Sequence, residues 1–420
     1  MKKGTLMDKT VLNKLKHHAA SLASAALVRV ELATEESRLK TKFQSLGQKL
    51  YGAVQDDLLK AIKDDPELTL QVIATNQHLS KLQGETYKEI ERDGFTIDYK
   101  VYMADDEAPD NANTTAKAIS RGVSGFADAF DALKPDLLLI LGDRYEMLAV
   151  ASTALIYKIP IAHLHGGEIT EGAFDDAIRH AITKMSHLHF TSTEAYRKRV
   201  IQLGEQSERV FNVGALGVEN VMKNDFLSKE EIEQSLNFKI TDKCFLCTYH
   251  PVTLSNMSSE TQVLNLLQAL YDYKDYHIIF TYSNSDTNSQ IIIKRIQEYV
   301  DKNQSRCMFI PSLGQRRYFS ALKYMTAVIG NSSSGIIEVP SFSIPTLDIG
   351  DRQKGRVAAD SVIHCGYSTE EIKDGLQKVV SYGNKTIDNP YYKEGTCDAI
   401  LNVIKTYPLD NLVQKHFYDL

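Results

Sequence analysis

The sequence predicts an α/β fold in which two doubly wound domains face each other across a cleft, preceded by a helical N-terminal segment. The length of 420 residues suggests two or three domains at about 150 residues each. From residue 56 onward, short apolar runs alternate with amphipathic segments, a pattern typical of parallel sheets covered by helices. A polar stretch at 223–243 divides this pattern into two series. We therefore place an atypical basic segment at 1–57, α/β domains at 58–222 and 223–397, and at 398–420 a helix that returns to the first domain.

Composition and charge restrict the possible functions. The chain is 43% hydrophobic and 24% charged, as ordinary globular proteins are, which excludes wholesale disorder. No apolar run approaches the roughly 18 residues that span a bilayer, and no signal peptide is recognised, so we expect a cytoplasmic protein without membrane contact. A net charge of −6 gives no bulk attraction to nucleic acid. Local basic groups would have to hold an anionic ligand.

The first fifty residues differ from the rest in charge. They hold ten Lys and Arg against four Asp and Glu, a net charge of +6. Apolar residues recur there at intervals of seven, four, three and four residues, which predicts one or two helices with a solvated Lys-rich face; the stripe is Leu32, Leu39, Phe43, Leu46 and Leu50. A membrane-surface or partner-binding helix is the alternative interpretation.

Each series contains five predicted strands. Those of the first lie at 68–74, 136–141, 159–165, 188–191 and 210–213. Those of the second lie at 245–248, 277–280, 308–310, 327–329 and 346–349, and a helix follows at 398–407. Cys244 and Cys247 form a Cys-x-x-Cys pair in an apolar run. A buried strand is favoured there over a redox or zinc site, because no second ligand pair follows.

Acidic and basic side chains gather where two neighbouring strands of the first series end. Asp143 and Arg144 follow one strand, and the next ends in His163, His165 and Glu168. The helix after it begins with a further set, namely Asp175, Asp176, Arg179 and His180. Because parallel strands end at the same edge of a sheet, these carboxylates would crowd beside imidazoles, raise one another's pKa and suit acid/base catalysis. An ordinary helix salt bridge is the alternative for the pair at 175 and 179.

The paired histidines raise the question of a metal. His163 and His165 would share one face of a strand, but no third ligand stands at a recognisable spacing. We therefore expect neither a metal nor another cofactor. His187 and His189 repeat the pattern on a strand that we predict to be buried, where they would be core residues.

The second series ends its strands in residues that suit a nucleotide. The segment 330–335 contains Ser332 and Ser333 among small residues that let the backbone approach a phosphate. A helix predicted to start near Ile336 would direct its positive end towards that phosphate. A Ser-rich helix N-cap explains the same residues equally well.

Further polar residues extend this candidate nucleotide site. His250, Asn284 and Asp286 follow two other predicted strands. Glu338 could hydrogen-bond a ribose diol, and the segment 351–356 adds concentrated positive charge. Phosphate binding in one half and acid/base groups in the other suggest an enzyme that acts on a nucleotide sugar.

Several motifs resemble, in order, the hydrolysing UDP-N-acetylglucosamine 2-epimerase family, from about residue 58 to the C-terminus. They are GDRYE at 142–146, HLHGGEITEGAFDDAIRHAITKMSHLHFTST at 163–193, HPVT at 250–253, NSSSGIIEVPSF at 331–342 and DRQKGR at 351–356. The resemblance implies two Rossmann-like domains in a GT-B-like arrangement, with the active site in the cleft, and a homo-oligomer. It also implies conversion of UDP-N-acetylglucosamine and water to N-acetylmannosamine and UDP for sialic acid synthesis, by elimination to a glycal and rehydration.

The resemblance also implies roles for particular residues. The acid/base residues would be Asp143, His165, Glu168 and Asp175. The substrate-binding residues would be Arg144, His250, Asn284, Asp286, Ser332, Ser333, Glu338 and Arg352. Some members carry a carboxylate where His165 stands, so the base that removes the C2 proton is left open. Asn288 and Ser289 stand where small glycines are expected, and nothing in 1–57 matches the family's N-terminal Gly-x-Arg-Ala-Glu-Tyr loop.

Three alternatives remain at this point. The first is the same reaction on a UDP- or GDP-linked 2,4-diacetamido-6-deoxy sugar, as on a legionaminic acid route. The second is a member that binds nucleotide sugars but is catalytically impaired because it lacks the N-terminal loop. The third is a GT-B glycosyltransferase, which would require an acceptor.

Overall fold

The computed structural model describes residues 56–81, 85, 87–108, 111–171, 174–223, 225–252, 255–282, 289–383 and 385–419. The helices predicted within the first fifty residues lie outside these ranges, as do Asn284 and Asp286. No helix within the described ranges is long and apolar enough to cross a membrane.

All strand pairs in the N-terminal half are parallel. A two-stranded sheet joins β1 (Ile73–Thr75) to β2 (Tyr99–Val101). The main sheet has the order β3-β4-β5-β6, and its strands are β3 (Leu138–Leu141), β4 (Ile161–Leu164), β5 (Leu188–Thr191) and β6 (Val210–Asn212). Within the described ranges, β1 pairs only with β2 and β3 only with β4.

Seven helices of the described residues accompany these strands. They are α1 (Asp56–Asp64), α2 (Tyr87–Arg92), α3 (Ala112–Leu133), α4 (Tyr145–Tyr157), α5 (Asp175–Met185), α6 (Glu194–Gln202) and α7 (Leu216–Lys223). Asn111 starts the longest, α3, because its side chain accepts a hydrogen bond from Thr114 N at 3.1 Å and so satisfies an otherwise unpaired helix donor. Buried Phe126 and Phe130 of α3 pack with Ile140 of β3, which fixes the sheet edge that carries the polar cluster.

The C-terminal half contains a six-stranded parallel sheet in the order β12-β11-β10-β7-β8-β9. Its strands are β7 (Cys244–Thr248), β8 (His277–Thr281), β9 (Cys307–Ile310), β10 (Ala327–Gly330), β11 (Thr346–Ile349) and β12 (Val362–Cys365). Its helices are α8 (Lys229–Leu236), α9 (Ser259–Leu270), α10 (Ser289–Asp301), α11 (Gly314–Leu322), α12 (Ser334–Ile337) and α13 (Thr369–Val380). The strand order reverses between β7 and β10, and ligands of doubly wound sheets bind at such a reversal.

One glycine is required at this reversal. Gly330 ends β10 with φ +137°, and a Cβ atom there would lie 1.8 Å from the carbonyl oxygen of Thr248 in β7. No side chain fits that distance. The absence of a side chain lets the loops that follow β7 and β10 run side by side.

The end of the chain packs on the N-terminal half. Helix α14 (Thr396–Thr406) contacts α1 and α7, and its Ile400 is buried with Leu58 and Phe190. Beyond the helix, Arg209 Nη1 donates to Leu412 O at 2.9 Å, and Tyr418 N donates to Gly204 O at 3.0 Å. The last described residues are therefore part of the N-terminal core.

A buried ion cluster fastens this C-terminal tail. Glu205 is 1% exposed. Its Oε1 accepts from Lys184 Nζ at 2.6 Å and its Oε2 from Lys415 Nζ at 2.7 Å, and His189 Nε2 lies 3.1 Å from Oε2. Burial by itself raises the pKa of Glu205, but His189 and the two lysines outweigh it and lower the pKa to about 2. The cluster holds the tail against β5.

Buried histidines should make the protein less stable as the pH falls below 6.5. Burial lowers the pKa of His163 to about 3 and that of His187 to about 4, so both are neutral in the folded protein. The unfolded chain protonates them near 6.5. Below that pH the unfolded state binds more protons, and the free energy of unfolding should fall by about 1.4 kcal/mol per histidine per pH unit until the folded pKa is reached.

Urea unfolding at pH values from about 7 to about 5 measures this slope. His163→Gln should reduce the slope of unfolding free energy against pH by the contribution of about one proton. His416→Gln, at an exposed position of the tail, should leave the slope unchanged. Equal slopes for wild type and His163→Gln would contradict the expectation.

The structure confirms the predicted α/β class and corrects several predicted elements. The strand predicted at 68–74 is wrong at its start, because β1 begins only at Ile73. Strands β2 and β12 were not predicted: β2 has three residues, and the short edge strand β12 exposes His364. The Cys-x-x-Cys pair lies in β7 with both thiols buried, as predicted. The helix predicted near Ile336 begins at Ser334 and has only four residues.

Candidate active site

The polar cluster of the N-terminal half is built where β3 and β4 end. Asp143 follows β3 and Gly142 and immediately precedes Arg144, the N-cap residue of α4. His165 follows β4 in the left-handed region, with φ +64°, a conformation that costs energy for a residue with a side chain and is common at functional sites. This turn reverses the chain, so that His165 Nδ1 lies 2.8 Å from Glu168 Oε1.

The buried side chain of Arg179, on α5, links the members of this cluster. Its side chain is 2% exposed. Nη2 donates to Asp143 Oδ2 and to Thr170 Oγ1, the latter at 2.6 Å. Nη1 donates to Glu168 O at 2.9 Å and to Asp176 Oδ1 at 3.1 Å. Four acceptors therefore fix one buried guanidinium, which in turn fixes the direction of the Asp143 carboxylate.

Glu168 is the buried carboxylate at which the two halves meet. It is 3% exposed, accepts from Ser192 Oγ at 2.9 Å, and lies 3.0 Å from Nη1 of Arg356 in the C-terminal half. Burial by itself raises the pKa of Glu168, but Arg356 and His165 outweigh it and hold the pKa well below its usual range. Glu168 is therefore an anion at neutral pH.

On the C-terminal side, Asn331 joins three loops at the point where the sheet order reverses. It is fully buried. Its Oδ1 accepts from His250 N at 2.6 Å, and its Nδ2 donates to His250 O at 2.8 Å. Gln353 Nε2 donates to the backbone oxygen of Asn331 at 2.9 Å. The loops after β7, β10 and β11 are thus locked into one surface.

The serines of the predicted phosphate cradle lie on this surface. Ser332 and Ser333 are partly exposed, and the Ser333 side chain makes no capping hydrogen bond to α12. Ser333 therefore occupies the N-cap position of the helix, but its side chain does not cap it. Helix α12 is a single turn, too short to carry the helix-end charge that the sequence interpretation assumed.

Glu338 brings a second unusual carboxylate to the cleft from the C-terminal half. Its Oε2 is buried without a hydrogen-bond partner among the described residues. Burial raises the pKa of Glu338 to about 7, although nearby His165 and Arg356 act in the opposite direction. Acid/base groups of the N-terminal half and polar groups of the C-terminal half therefore face one another across the domain junction.

The sequence profile described as UDP-N-acetylglucosamine 2-epimerase matches residues 60–405. The chain belongs to this family.

Two curated relatives cover most of its length. The GDP/UDP-N,N′-diacetylbacillosamine 2-epimerase (hydrolyzing) of Campylobacter jejuni is 42% identical over 369 residues, which is 87% of this chain and 95% of that protein. The polysialic acid biosynthesis protein P7 of Escherichia coli is 39% identical over 383 residues, covering 88% and 95%.

A solved structure shows the fold that these epimerases share. The UDP-GlcNAc 2-epimerase of Neisseria meningitidis, bound to UDP-GlcNAc, superposes with a TM-score of 0.70 at 19% identity, covering 84% of this chain and 96% of that one. The predicted GT-B-like arrangement of two Rossmann-like domains is thereby confirmed.

The structure places most of the predicted site residues after the carboxyl ends of strands in the two halves. Asp143, Arg144, His165 and Glu168 come from the ends of β3 and β4, and Asp175 is the first residue of α5. His250, Ser332, Ser333, Glu338 and Arg352 follow β7, β10 and β11. Asn284 and Asp286 lie outside the described residues. No group of three metal-binding side chains occurs within the described ranges.

Some residues of the epimerase site were missed or undervalued from sequence. Asp176, rather than its neighbour 175, makes the hydrogen bonds that join α5 to Thr170 N, at 2.6 Å, and to Arg179. For Arg179 an ordinary helix salt bridge with residue 175 was left open as the alternative, whereas the structure shows ion pairs of Arg179 with Asp143 and Asp176. Asn331, Gln353 and Arg356 act through contacts between loops far apart in sequence. All three lie in motifs that the sequence singled out, NSSSGIIEVPSF for Asn331 and DRQKGR for Gln353 and Arg356, but the motifs did not indicate these contacts.

Proposed function

We propose that this epimerase hydrolyses a nucleotide-linked 2-acetamido sugar with inversion at C2. A base removes the C2 proton while the nucleoside diphosphate leaves C1, which gives a 2-acetamidoglycal. Water then adds across the double bond and places the proton on the opposite face of C2. One nucleotide sugar and one water thus give a free sugar and a nucleoside diphosphate.

One observation carries this proposal. Asp143, His165 and Glu168 meet Arg356 and Glu338 of the other half at a single junction, with Glu168 and Arg356 3.0 Å apart. The N-terminal groups suit proton transfer at C2. Arg356 supplies a cation that could stabilise a leaving diphosphate. This matters because C2–H is a poor acid, so stabilisation of the leaving group must lower much of the barrier.

For the sugar, we propose an N,N′-diacetylbacillosamine nucleotide, that is, a 2,4-diacetamido-6-deoxy sugar. The named substrate of the Campylobacter relative, at 42% identity, supports this choice. UDP-N-acetylglucosamine, giving N-acetylmannosamine for sialic acid synthesis, is the second candidate. The relation to the polysialic acid protein of E. coli, at 39% identity, favours it.

The test is an acceptor-free assay in D₂O. Purified protein is mixed separately with UDP-N-acetylglucosamine and with the UDP- and GDP-linked diacetamido sugar, and products are followed by NMR. We expect nucleoside diphosphate and a free sugar with inverted C2 that carries deuterium at C2. A product that keeps its C2 proton would refute the elimination route, and a requirement for an acceptor would indicate a transferase. Comparison of kcat/KM among the three substrates decides the sugar.

A further inference from the structure

A buried arginine at the domain junction has hydrogen-bond donors that no described group uses. The Arg356 side chain is 9% exposed, and its Nε and Nη1 are buried without a hydrogen-bond acceptor. Nη1 lies 3.0 Å from Glu168 Oε2, which balances the charge but lacks the direction of a hydrogen bond. Buried guanidinium donors are rarely left unpaired, because their desolvation is then uncompensated. Their presence indicates an acceptor that lies beyond the described residues, and a bound anion would supply one.

The backbone beside Arg356 is fixed by hydrogen bonds, so the side chain always starts from the same place at the domain junction. Val357 N donates to Tyr196 Oη at 2.9 Å, and Tyr391 Oη donates to Val357 O at 2.8 Å. The two tyrosine oxygens are themselves 2.9 Å apart, and both rings are fully buried. On the other side, Gly355 (φ +85°) lies against Ile169, which a Cβ atom would approach to 2.7 Å.

The groups around Arg356 balance its charge but leave some of its hydrogen-bond donors available to a ligand. It faces Glu168, Asp143, Tyr196 and Tyr391, and it acts on Glu338 from the side of α12. Arg179, the other buried arginine of the site, already donates to four acceptors. Of these two arginines, Arg356 is the one that combines an ion pair with buried donors for which the described residues offer no acceptor.

We propose that Arg356 binds the diphosphate of the nucleotide sugar and exchanges its pairing with Glu168 for pairing with the phosphate oxygens, an inference that rests on the proposed function. The planar guanidinium suits two phosphate oxygens at once. Once Arg356 turns to the diphosphate, Glu168 loses its main counter-charge while His165 and Ser192 remain. Its proton affinity then rises. The substrate thus makes Glu168 a stronger base only when the leaving group is in place.

The first test compares binding of UDP with binding of uridine, measured by calorimetry on the full chain. Arg356→Gln should lower the affinity for UDP by about 30-fold or more, as expected for loss of a buried charge contact. The affinity for uridine should stay within about twofold of the wild-type value. Arg356→Lys should give an intermediate UDP affinity, because it keeps the charge without the fork. Arg316→Gln is the matched control: this arginine of α11 has a side chain that is 55% exposed and pairs with Asp225 at 2.6 Å, so its loss should not change the affinity for UDP.

The second test asks whether Arg356 exchanges Glu168 for the diphosphate, by measuring whether removal of the Glu168 charge strengthens or weakens UDP binding. If Glu168 competes with the diphosphate for Arg356, Glu168→Gln should tighten UDP binding, by about fivefold for a modest coupling. This gain in UDP affinity should vanish in the Glu168→Gln/Arg356→Gln double variant. The double variant removes both buried charges together, so it can fold even if a single variant, which leaves one charge unpaired, does not. Unchanged or weaker UDP binding by Glu168→Gln would overturn the exchange.

These outcomes separate this proposal from the proposed reaction. UDP binding that depends on Arg356, in a protein that turns over none of the three nucleotide sugars, would sustain the phosphate contact and refute the reaction. If the wild-type protein turns over a nucleotide sugar and Arg356→Gln keeps full affinity for UDP, the proposed reaction is supported and the phosphate contact of Arg356 is refuted.

Discussion

Asp143→Asn should lower kcat by about 10³-fold while leaving the protein folded, an effect in the range expected for loss of a general acid or base. The amide has the shape of the carboxylate and can still present an oxygen to Arg179, which holds Asp143 Oδ2 from below. It cannot accept a proton at neutral pH. Release of nucleoside diphosphate measures kcat, and circular dichroism with urea unfolding measures the fold.

The control for this prediction is Asp131→Asn, an exposed carboxylate on α3, which should behave as wild type. Asp143→Asn with normal turnover would remove Asp143 from the acid/base group. If turnover falls only to the extent that Asp143→Asn unfolds the protein, Asp143 is a structural partner of Arg179 and has no role in proton transfer.

Arg179→Met should lower the free energy of unfolding by about 3–5 kcal/mol, the cost of breaking a buried ion pair by removing one partner. The substitution keeps most of the side-chain volume but strips Asp143 and Asp176 of their shared cation and leaves Thr170 Oγ1 and Glu168 O without their donor. Because the direction of Asp143 depends on Arg179, turnover should be lost as well. Urea unfolding followed by circular dichroism measures the first effect.

Arg295→Met on α10 is the matched comparison. Arg295 pairs with Glu260 and Glu298 at side chains 30–42% exposed, and exposed pairs contribute about 0–1 kcal/mol. Similar losses for the two variants would show that the burial of Arg179 carries no special weight.

The sequence was a good guide wherever the governing interactions are local. Short segments at the spacing expected of βα units placed β5 and β11 at their observed bounds, 188–191 and 346–349, although each contains a polar side chain, that of His189 or Asp348. The three-residue strand β2 was not predicted. Its pairing with β1 depends on a register between segments about 26 residues apart, which no local pattern encodes.

The candidate site divides in the same way. Carboxylates and histidines at strand ends could be recognised, because parallel strands end at one edge. The partners that orient them could not. Arg179 stands among ordinary helix residues, and its role arises from a contact with Asp143, 36 positions earlier. The pairing of Glu168 with Arg356 requires both halves to be in place. Sequence patterns supplied the reactive groups, and tertiary contacts supplied their geometry.

The return of the chain end to the N-terminal half has a consequence for synthesis. The half that leaves the ribosome first is the last to be finished, because Leu58 and Phe190 remain uncovered until Ile400 arrives and Glu205 waits for Lys415. During translation the C-terminal half, whose core lies within 244–379, completes its contacts earlier. A circular permutant that begins with 396–419 and continues through a flexible linker at residue 56 would reverse this order, and the contact between α14 and α1 would then form early.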